Sequence, residues 1–585
     1  MNQFQIIVLA TPVFFLLIGL EFAWGCARQR RGTGHNTYRL NDAINSISLG
    51  VLSQLGGIFT KLFTVGIYSA IYASVALFPD PEFWLTWYGV LLALVFYDLC
   101  YYWLHRAGHR VAVYWAAHVV HHQSQQYNLS TALRQTSSGA LLGWVFYVPM
   151  AIAGVPPLVF GIVALIDLLY QFWVHTEQVG KLGWFDRVFC SPSNHRVHHA
   201  VNDGYLDKNY GGILVLWDRM FGSFREEDEK CIYGTRGQLN SWDPLWANFE
   251  VYGALLKDSW HAQSWADKLR IWFMPPGWRP ADVAVRFPKP DFDITQVRTF
   301  DPPASRTVRW FAALQFVLML GGVSAVLWFS GSWPIRQTAV WSAALVTGYW
   351  AIGALMQGRM SVLEMLLIES AVLSTATSTL GLLDLHFIFK PLVMLIAITF
   401  IALRSYESGA ATRFNALLMA ALAASLAGDV FLMLPGNYFI PGLASFLVGH
   451  LFYIALFRRG VTWFPNRMAL LATLGFGGAM YAWVWGGLHD PVLKIAVAAY
   501  VAVIALMAAQ AIGRALVMRD AASKAVAVGA CVFMLSDSLI AINRFVQPLP
   551  MVALWVLSSY YAAQILIVHN AKLRAASEQG QAKSS

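Results

Sequence analysis

Runs of mostly apolar residues recur from one end of the chain to the other, and they decide what it can fold into. A membrane-crossing helix needs about 20 such residues. The sequence offers them near 5–25, 45–78 (one long or two short segments), 83–104, 139–174, 308–330, 337–357, 361–382, 386–403, 414–435, 441–457, 468–487, 491–515, 524–545 and 550–570. Backbone polar groups find no water inside lipid, so runs like these become helices. Charged residues make up only 12% of the chain, about half the share usual in a soluble protein. The expectation is an all-α, polytopic membrane protein. Residues 1–25 lack the basic start of a leader, and Arg28, Arg30 and Arg31 follow the apolar run; this order reads as an anchor with its C-terminal end in the cytoplasm. Pro156-Pro157 break 139–174 into a hairpin.

The net charge of +9 sits mainly in loops beside the apolar runs, where membrane orientation and anionic headgroups account for it. No nucleic-acid motif is present. The five cysteines are scattered, which excludes a disulfide framework and a thiolate metal site. Hydrophobicity drops between Phe224 and Arg309. Within that stretch, Trp242 to Trp272 suits aqueous or interfacial helices, and a run of prolines from Pro275 to Pro303 interrupts regular structure. This divides the chain into a first domain over 1–280, a proline-rich linker over 281–307, a second helical domain over 308–572 and a polar tail over 573–585.

Nine of the fifteen histidines lie between His105 and His199. Eight form three clusters: His105-x3-His109, His118-x2-His121-His122 and His195-x2-His198-His199. Residues three and four apart share a helix face, so each cluster aims two or three imidazoles at one place. Unmetallated, so many rings near apolar segments would leave nitrogens short of partners. Eight imidazoles are too many for one ion and suit two. All-imidazole ligation fits zinc, copper, iron or nickel; two adjacent redox irons would activate dioxygen beside a lipid substrate. Asp98 precedes His105 by about two turns, either fixing a ring orientation or pairing locally. Arg106, Arg110 and Arg134 nearby place the metal site on the cytoplasmic side.

The histidine pattern resembles the membrane fatty-acid hydroxylase/sterol desaturase superfamily. Around it, Tyr127-Asn128-Leu129-Ser130-Thr131-Ala132-Leu133-Arg134-Gln135, Gln171 to Glu177, Pro192 to His199, and Asp207 to Gly212 through Trp217 to Gly222 are similar to the alkylglycerol monooxygenases within it, over roughly residues 40–280. The resemblance implies a histidine-rich di-metal hydroxylase domain with two irons (a diiron centre), dioxygen as co-substrate, tetrahydrobiopterin or an external reductant as electron donor, and hydroxylation of the ether-linked carbon of an alkylglycerol or lyso-ether lipid, with release of a fatty aldehyde. It implies His105, His109, His118, His121, His122, His195, His198 and His199 as iron ligands, His175 as a ninth, and Glu177 as a polar neighbour. The chain departs from the pattern at Arg110, where a glutamate is expected.

In the second half, Asp429 and Asp537 lie inside apolar runs, with Lys390, His450 and Arg544 close to such runs. Charges within membrane segments are functional candidates by default; an internally paired structural network is the alternative. Two buried carboxylates can divide acid and base roles. Lys390-Pro391-Leu392, Ala427-Gly428-Asp429, Gly449-His450-Leu451-Phe452-Tyr453 and Ser536-Asp537-Ser538 resemble the lysoplasmalogenase family. That resemblance implies a bundle of about eight transmembrane helices, hydrolysis of lysoplasmalogen vinyl ethers, Asp429 and Asp537 as acid and base, and Lys390 and His450 as headgroup or tuning residues. The combined expectation is a bifunctional ether-lipid degrader in a bacterial inner membrane, or in the ER membrane if the source is eukaryotic. Two alternatives stand beside it: a sterol or fatty-acid hydroxylase or desaturase with a non-catalytic C-terminal bundle, and a transporter or metal-handling protein, against which the unrelated halves count.

Overall fold

The computed structural model describes residues 3–407 and 413–572; the expected polar tail, 573–585, lies outside them. Among the described residues thirteen helices are long and apolar enough to cross a membrane. Extended structure there is confined to two isolated bridges, Phe189 with Leu214 and Ala200 with Tyr233. The protein is an integral, multi-pass membrane protein.

The described residues form two compact units: those up to 338 with 348–359, and 339–347 with those from 360 onward. They part later in the chain than the proline-rich stretch where the sequence marks a boundary. The reason lies in the packing of α7 (Arg306–Phe329), introduced below, which falls within the first unit.

The first unit is built on α1 (Gln3–Arg30), α2 (Leu40–Lys61), α3 (Trp87–Arg110), α4 (Ala112–His122), α5 (Pro157–Trp173), α6 (Pro192–His199) and α7, which packs against α1 and α2. The apolar run 45–78 becomes two pieces, α2 and Ile67–Val75, joined by a π turn at Leu62–Gly66. The hairpin 139–174 forms as two shorter helical segments, Gly139–Ala153 and Pro157–Trp173. At 1.5 Å per residue the longer covers roughly 26 Å, short of the roughly 30 Å hydrocarbon core. The hairpin therefore enters and returns, bringing the chain back to the end where α3 finished. Its tip needs Gly154, at φ 100°, because a Cβ there would lie 2.2 Å from the Phe78 carbonyl oxygen.

Pro244–His261 and Trp265–Phe273 are helices that leave Trp246, Phe249, Leu256, Trp260, Trp265, Leu269 and Phe273 exposed. Tryptophan-rich apolar faces of this kind suit the headgroup level, as the sequence leads one to expect.

Among the described residues the second unit contains eight long helices: α8 (Val362–Thr379), α9 (Leu383–Glu407), α10 (Arg413–Met433), α11 (Phe439–Phe457), α12 (Arg467–Val484), α13 (Pro491–Met518), α14 (Ala521–Phe545) and α15 (Val552–Asn570). The expected eight-helix bundle is thus present from Val362 onward. Its core is continuous, with Met394, Leu418, Leu422, Tyr453, Met507, Phe533 and Ile567 all fully enclosed.

Candidate metal centre and a second buried site

Local sequence explains how the histidine helices are aimed. The chain turns between α3 and α4 at the extended, β-branched Val111. Gly108 lies against the His118 ring, where a Cβ would sit at an ordinary contact distance of 3.4 Å. In α6, Ser191 and Asn194 form a capping box and Pro192 occupies the first turn, so the helix begins three residues before its first histidine.

All nine expected histidines converge, and they sort into two donor groups. His105, His109, His118, His122 and His198 form one; His121, His175, His195 and His199 form the other. The i,i+4 pairs His118/His122 and His195/His199 each stay within one group. The intervening His121 and His198 point about 60° from the first member of each pair and about 100° from the second, and the way the two helices face each other puts each in the group fed by the other helix. The groups adjoin: the rings of His122 and His199 stack with centroids 4.3 Å apart.

Hydrogen bonds fix which nitrogen each group offers. Nδ1 of His105 donates to the Tyr210 carbonyl at 2.8 Å, that of His121 to Arg134 at 2.9 Å, that of His175 to Gln171 at 2.8 Å and that of His198 to Lys208 at 3.0 Å. A ring carrying its proton on Nδ1 presents a bare lone pair at Nε2. Yet Nε2 of His121 faces Nε2 of His175 at 3.0 Å. Two lone pairs at that distance repel unless a cation lies beside both. The buried Nε2 atoms of His109 and His198 have no hydrogen-bond partner, which is the same requirement seen twice more. Other facing Nε2 pairs lie 3.1 to 3.2 Å apart. Nitrogens about 2.1 Å from a shared ion are about 3.0 Å apart at right angles and about 3.4 Å apart in a tetrahedron. The facing nitrogens of each donor group therefore have the spacing of ligands to a shared ion. Burial holds the rings of His118, His122, His175, His195, His198 and His199 well below the usual histidine pKa, and that of His121 down to about 4, so these rings are neutral, as ligands must be.

Supporting residues follow. Asp98 touches no histidine. Its carboxylate accepts from the Ile213 and Leu214 amides and from the Trp217 indole, pinning the loop whose Tyr210 carbonyl orients His105. Arg134 is buried and its guanidinium donates to Val120, Asn45 and Gln123, which positions the carbonyl that orients His121. Arg196 grips both carboxylate oxygens of Glu227 and donates to the Thr176 and Val179 carbonyls. Glu177 pairs with His35 at 2.8 Å, and Arg110 pairs with Asp207 at 2.7 Å.

A cavity of about 410 Å³ opens against the histidines, within the range of small-molecule sites. His105, His118, His121 and His175 line it, together with apolar residues of α1 and α7 such as Phe14, Phe15, Leu320 and Leu327. Of the polar liners, Tyr101 and Asp167 were not singled out from the sequence, whereas Gln171 opens one of the motifs quoted above. Asp167 carried a usable signal, a charge inside the apolar run 157–173.

In the second unit, Lys390, Asp429 and Asp537 line one cavity of about 370 Å³, with Tyr500, Tyr560 and Arg544. Lys390 lies 3.5 Å from Asp429. Tyr560 donates to Asp429 at 2.7 Å and Tyr500 donates to Asp537. His450 is outside the lining; its Nε2 meets the Tyr500 hydroxyl at 2.9 Å. The guanidinium of Arg544 stacks over Phe439 at 4.0 Å. The two tyrosines were not anticipated, because an aromatic in an apolar run carries no distinguishing signal.

The fatty acid hydroxylase family model matches residues 90–223, and the YhhN family model matches residues 385–571. The human alkylglycerol monooxygenase is 37% identical over 314 residues, covering 53% of this chain and 68% of the relative. The chain belongs to the alkylglycerol monooxygenase family. The Danio rerio member is 36% identical over 329 residues, covering 54% of this chain and 70% of its own length. In this alkylglycerol monooxygenase family member the C-terminal half is a YhhN domain. The human protein named lysoplasmalogenase TMEM86B is 33% identical over 158 residues, 27% of this chain and 64% of that relative. No solved structure matches.

Proposed function

We propose that the first unit is an ether-lipid monooxygenase whose nine histidines hold two irons. Its substrate is an alkylglycerol or lyso-ether lipid in the cavity beside them. Bound iron supplies dioxygen activation, with tetrahydrobiopterin as electron source. The protein's own contribution is positional. Backbone carbonyls keep four rings in the metal-binding tautomer, α1 and α7 keep the alkyl chain dry, and the cavity sets the ether carbon beside the histidines. Hydroxylation at that carbon gives a hemiacetal, which opens to a fatty aldehyde and the free glycerol derivative. The observation that carries this reading is the bare Nε2 pair of His121 and His175, at the wall of a largely apolar cavity.

We further propose that the second unit hydrolyses lysoplasmalogen vinyl ethers. One of Asp429 and Asp537 protonates the enol-ether carbon, and the other takes a proton from water attacking the resulting oxocarbenium. Lys390 holds the headgroup phosphate or tunes Asp429, and His450 acts through Tyr500. The expected placement is a bacterial inner membrane with the metal site facing the cytoplasm.

The test incubates purified full-length protein with alkyl- and alkenyl-lysophospholipids, with and without oxygen and reduced tetrahydrobiopterin. Oxygen- and pterin-dependent aldehyde from the first substrate, and oxygen-independent aldehyde from the second, support both assignments. Oxygen-independent or absent turnover of the alkyl ether rejects the first, and an inert alkenyl ether rejects the second.

A further inference from the structure

Two cationic side chains line the cavity of the second unit among the described residues, Lys390 and Arg544, and only one of them is paired. Lys390 is buried and lies 3.5 Å from the buried Asp429. Arg544 is exposed, and an exposed residue that also lines a cavity marks its mouth. Its guanidinium sits 4.0 Å from the ring centre of Phe439 and 5.9 Å from that of Phe545. Among the described residues it has no carboxylate partner and no hydrogen-bond acceptor. An aromatic face attracts a cation without taking up an N–H donor, so the planar fork that suits phosphate stays available.

Helix geometry sets the height of this cation above the carboxylates. Arg544 is the last residue but one of α14, beside Phe439, the first residue of α11. Asp537 precedes it by seven residues, about two turns, and so shares its face of the helix. Ile540 and Ala541 between them line the cavity as well, which makes that face continuous. At 1.5 Å per residue the two positions are about 10.5 Å apart along the axis. An arginine at the end of a membrane helix reaches the headgroup level, so the cavity runs from that level down to the carboxylates. A lysoplasmalogen laid along this face has the matching order. Its phosphate belongs at the headgroup level, and six bonds separate the phosphorus from the vinyl carbon that water attacks. Apolar liners such as Phe446, Phe476 and Ile504 are left for hydrocarbon.

We propose that Arg544 binds the phosphodiester of the lysolipid headgroup at the mouth of the cavity and thereby sets the vinyl ether beside Asp429 and Asp537, while Lys390 acts on Asp429 alone. This rests on the vinyl-ether reading above. Arg544 is a positioning and specificity residue: it distinguishes alkenyl lysophospholipids from alkenylglycerols, which lack the phosphate.

The test measures aldehyde release by the full-length protein in a non-ionic detergent from 1-alkenyl-glycerophosphoethanolamine and from 1-alkenylglycerol of the same chain length. The wild type is expected to favour the phospholipid in kcat/KM by about tenfold or more, the value of a hydrogen bond to a charged group. Arg544→Gln should lose most of that preference through a higher KM for the phospholipid, with kcat within about twofold and the alkenylglycerol unaffected. Arg544→Lys, which keeps the charge and loses the fork, should keep part of the preference and serves if Arg544→Gln does not fold. Inorganic phosphate is the other source of the same chemistry, and added at millimolar concentration it should leave turnover of the alkenylglycerol unchanged. Four results would overturn the role of Arg544 and leave the vinyl-ether reading standing: equal use of both substrates by the wild type, variants that keep the full preference, an equal loss on both substrates in Arg544→Gln, or phosphate inhibition that disappears in Arg544→Gln, which would give the site to a free anion. A wild type that cleaves neither substrate rejects the vinyl-ether reading itself.

Discussion

At the scale of single residues, the two donor groups are unequal. The first has five imidazoles and the second four, so the second tolerates loss less well. Replacing His175 with alanine removes one of four ligands and also leaves the His121 ring without its facing neighbour. On the proposed two-iron reading, the variant should lose about half of the bound iron and nearly all oxygen-dependent aldehyde release; iron analysis by mass spectrometry beside the activity assay checks both. Retention of full iron would show that His175 is not a ligand. Arg196 makes a different kind of contribution. Its guanidinium satisfies four acceptors that tie α6 to Glu227 and to the chain just after His175. Arg196→Met leaves the partly buried Glu227 carboxylate with the Ser193 hydroxyl as its donor and takes the donor from the Thr176 and Val179 carbonyls, which destabilises this part of the fold. A lower midpoint of thermal unfolding in detergent, with metal lost early in the transition, is the expected result.

At the scale of elements, α7 carries the least expected role. From the sequence, 308–330 reads as the first helix of the second domain, since it follows the proline-rich stretch. Its packing on α1 and α2, and the contribution of Leu320, Val323, Ser324 and Leu327 to the cavity beside the histidines, could not be read there. Periodicity says that a helix has an apolar face but not which neighbour covers it. The histidine helices were legible for the opposite reason. Imidazole at i, i+3 and i+4 is a chemical pattern tied to helix geometry, so the aim of each cluster was legible from spacing, whereas His175 came only with the family resemblance. The assignment of the His121-His122 and His198-His199 doublets to different groups needed the helix orientations. The role of α7 is testable through its side chains. Tryptophan at Val323 or Leu327 fills cavity volume at a site lined by apolar residues, so the preferred alkyl chain should shorten by several carbons while iron content stays constant. A series of alkylglycerols from ten to twenty carbons would show the shift, and an unchanged profile would exclude α7 from the chain-binding wall.

At the scale of the whole molecule, the two cavities ask for unrelated chemistry. One is walled by neutral imidazoles and hydrocarbon. The other sets two carboxylates among tyrosine hydroxyls and a lysine, without a histidine group of metal-binding geometry among the described residues of that unit. Both proposed reactions nevertheless cleave an ether at glycerol and release a fatty aldehyde, which gives a single chain reason to carry them: saturated and vinyl ethers of one lipid pool would yield one product. Shared product does not require shared machinery, and the structure makes the separation measurable. Asp429→Asn should abolish aldehyde release from an alkenyl lysolipid, because amide nitrogen and oxygen can neither supply nor take the proton the vinyl ether needs, and should leave iron content and the oxygen-dependent rate with an alkyl lysolipid within twofold of wild type. Stripping the metal with a ferrous chelator should do the reverse, ending oxygen-dependent release and sparing hydrolysis. Since Tyr560 donates to Asp429 at 2.7 Å and Lys390 lies 3.5 Å away, Tyr560→Phe should lower the hydrolytic rate by a smaller factor than Asp429→Asn does. If the chelator also stopped vinyl-ether cleavage, the carboxylates of the second unit would not be its catalysts, and the metal centre would have to serve both substrates.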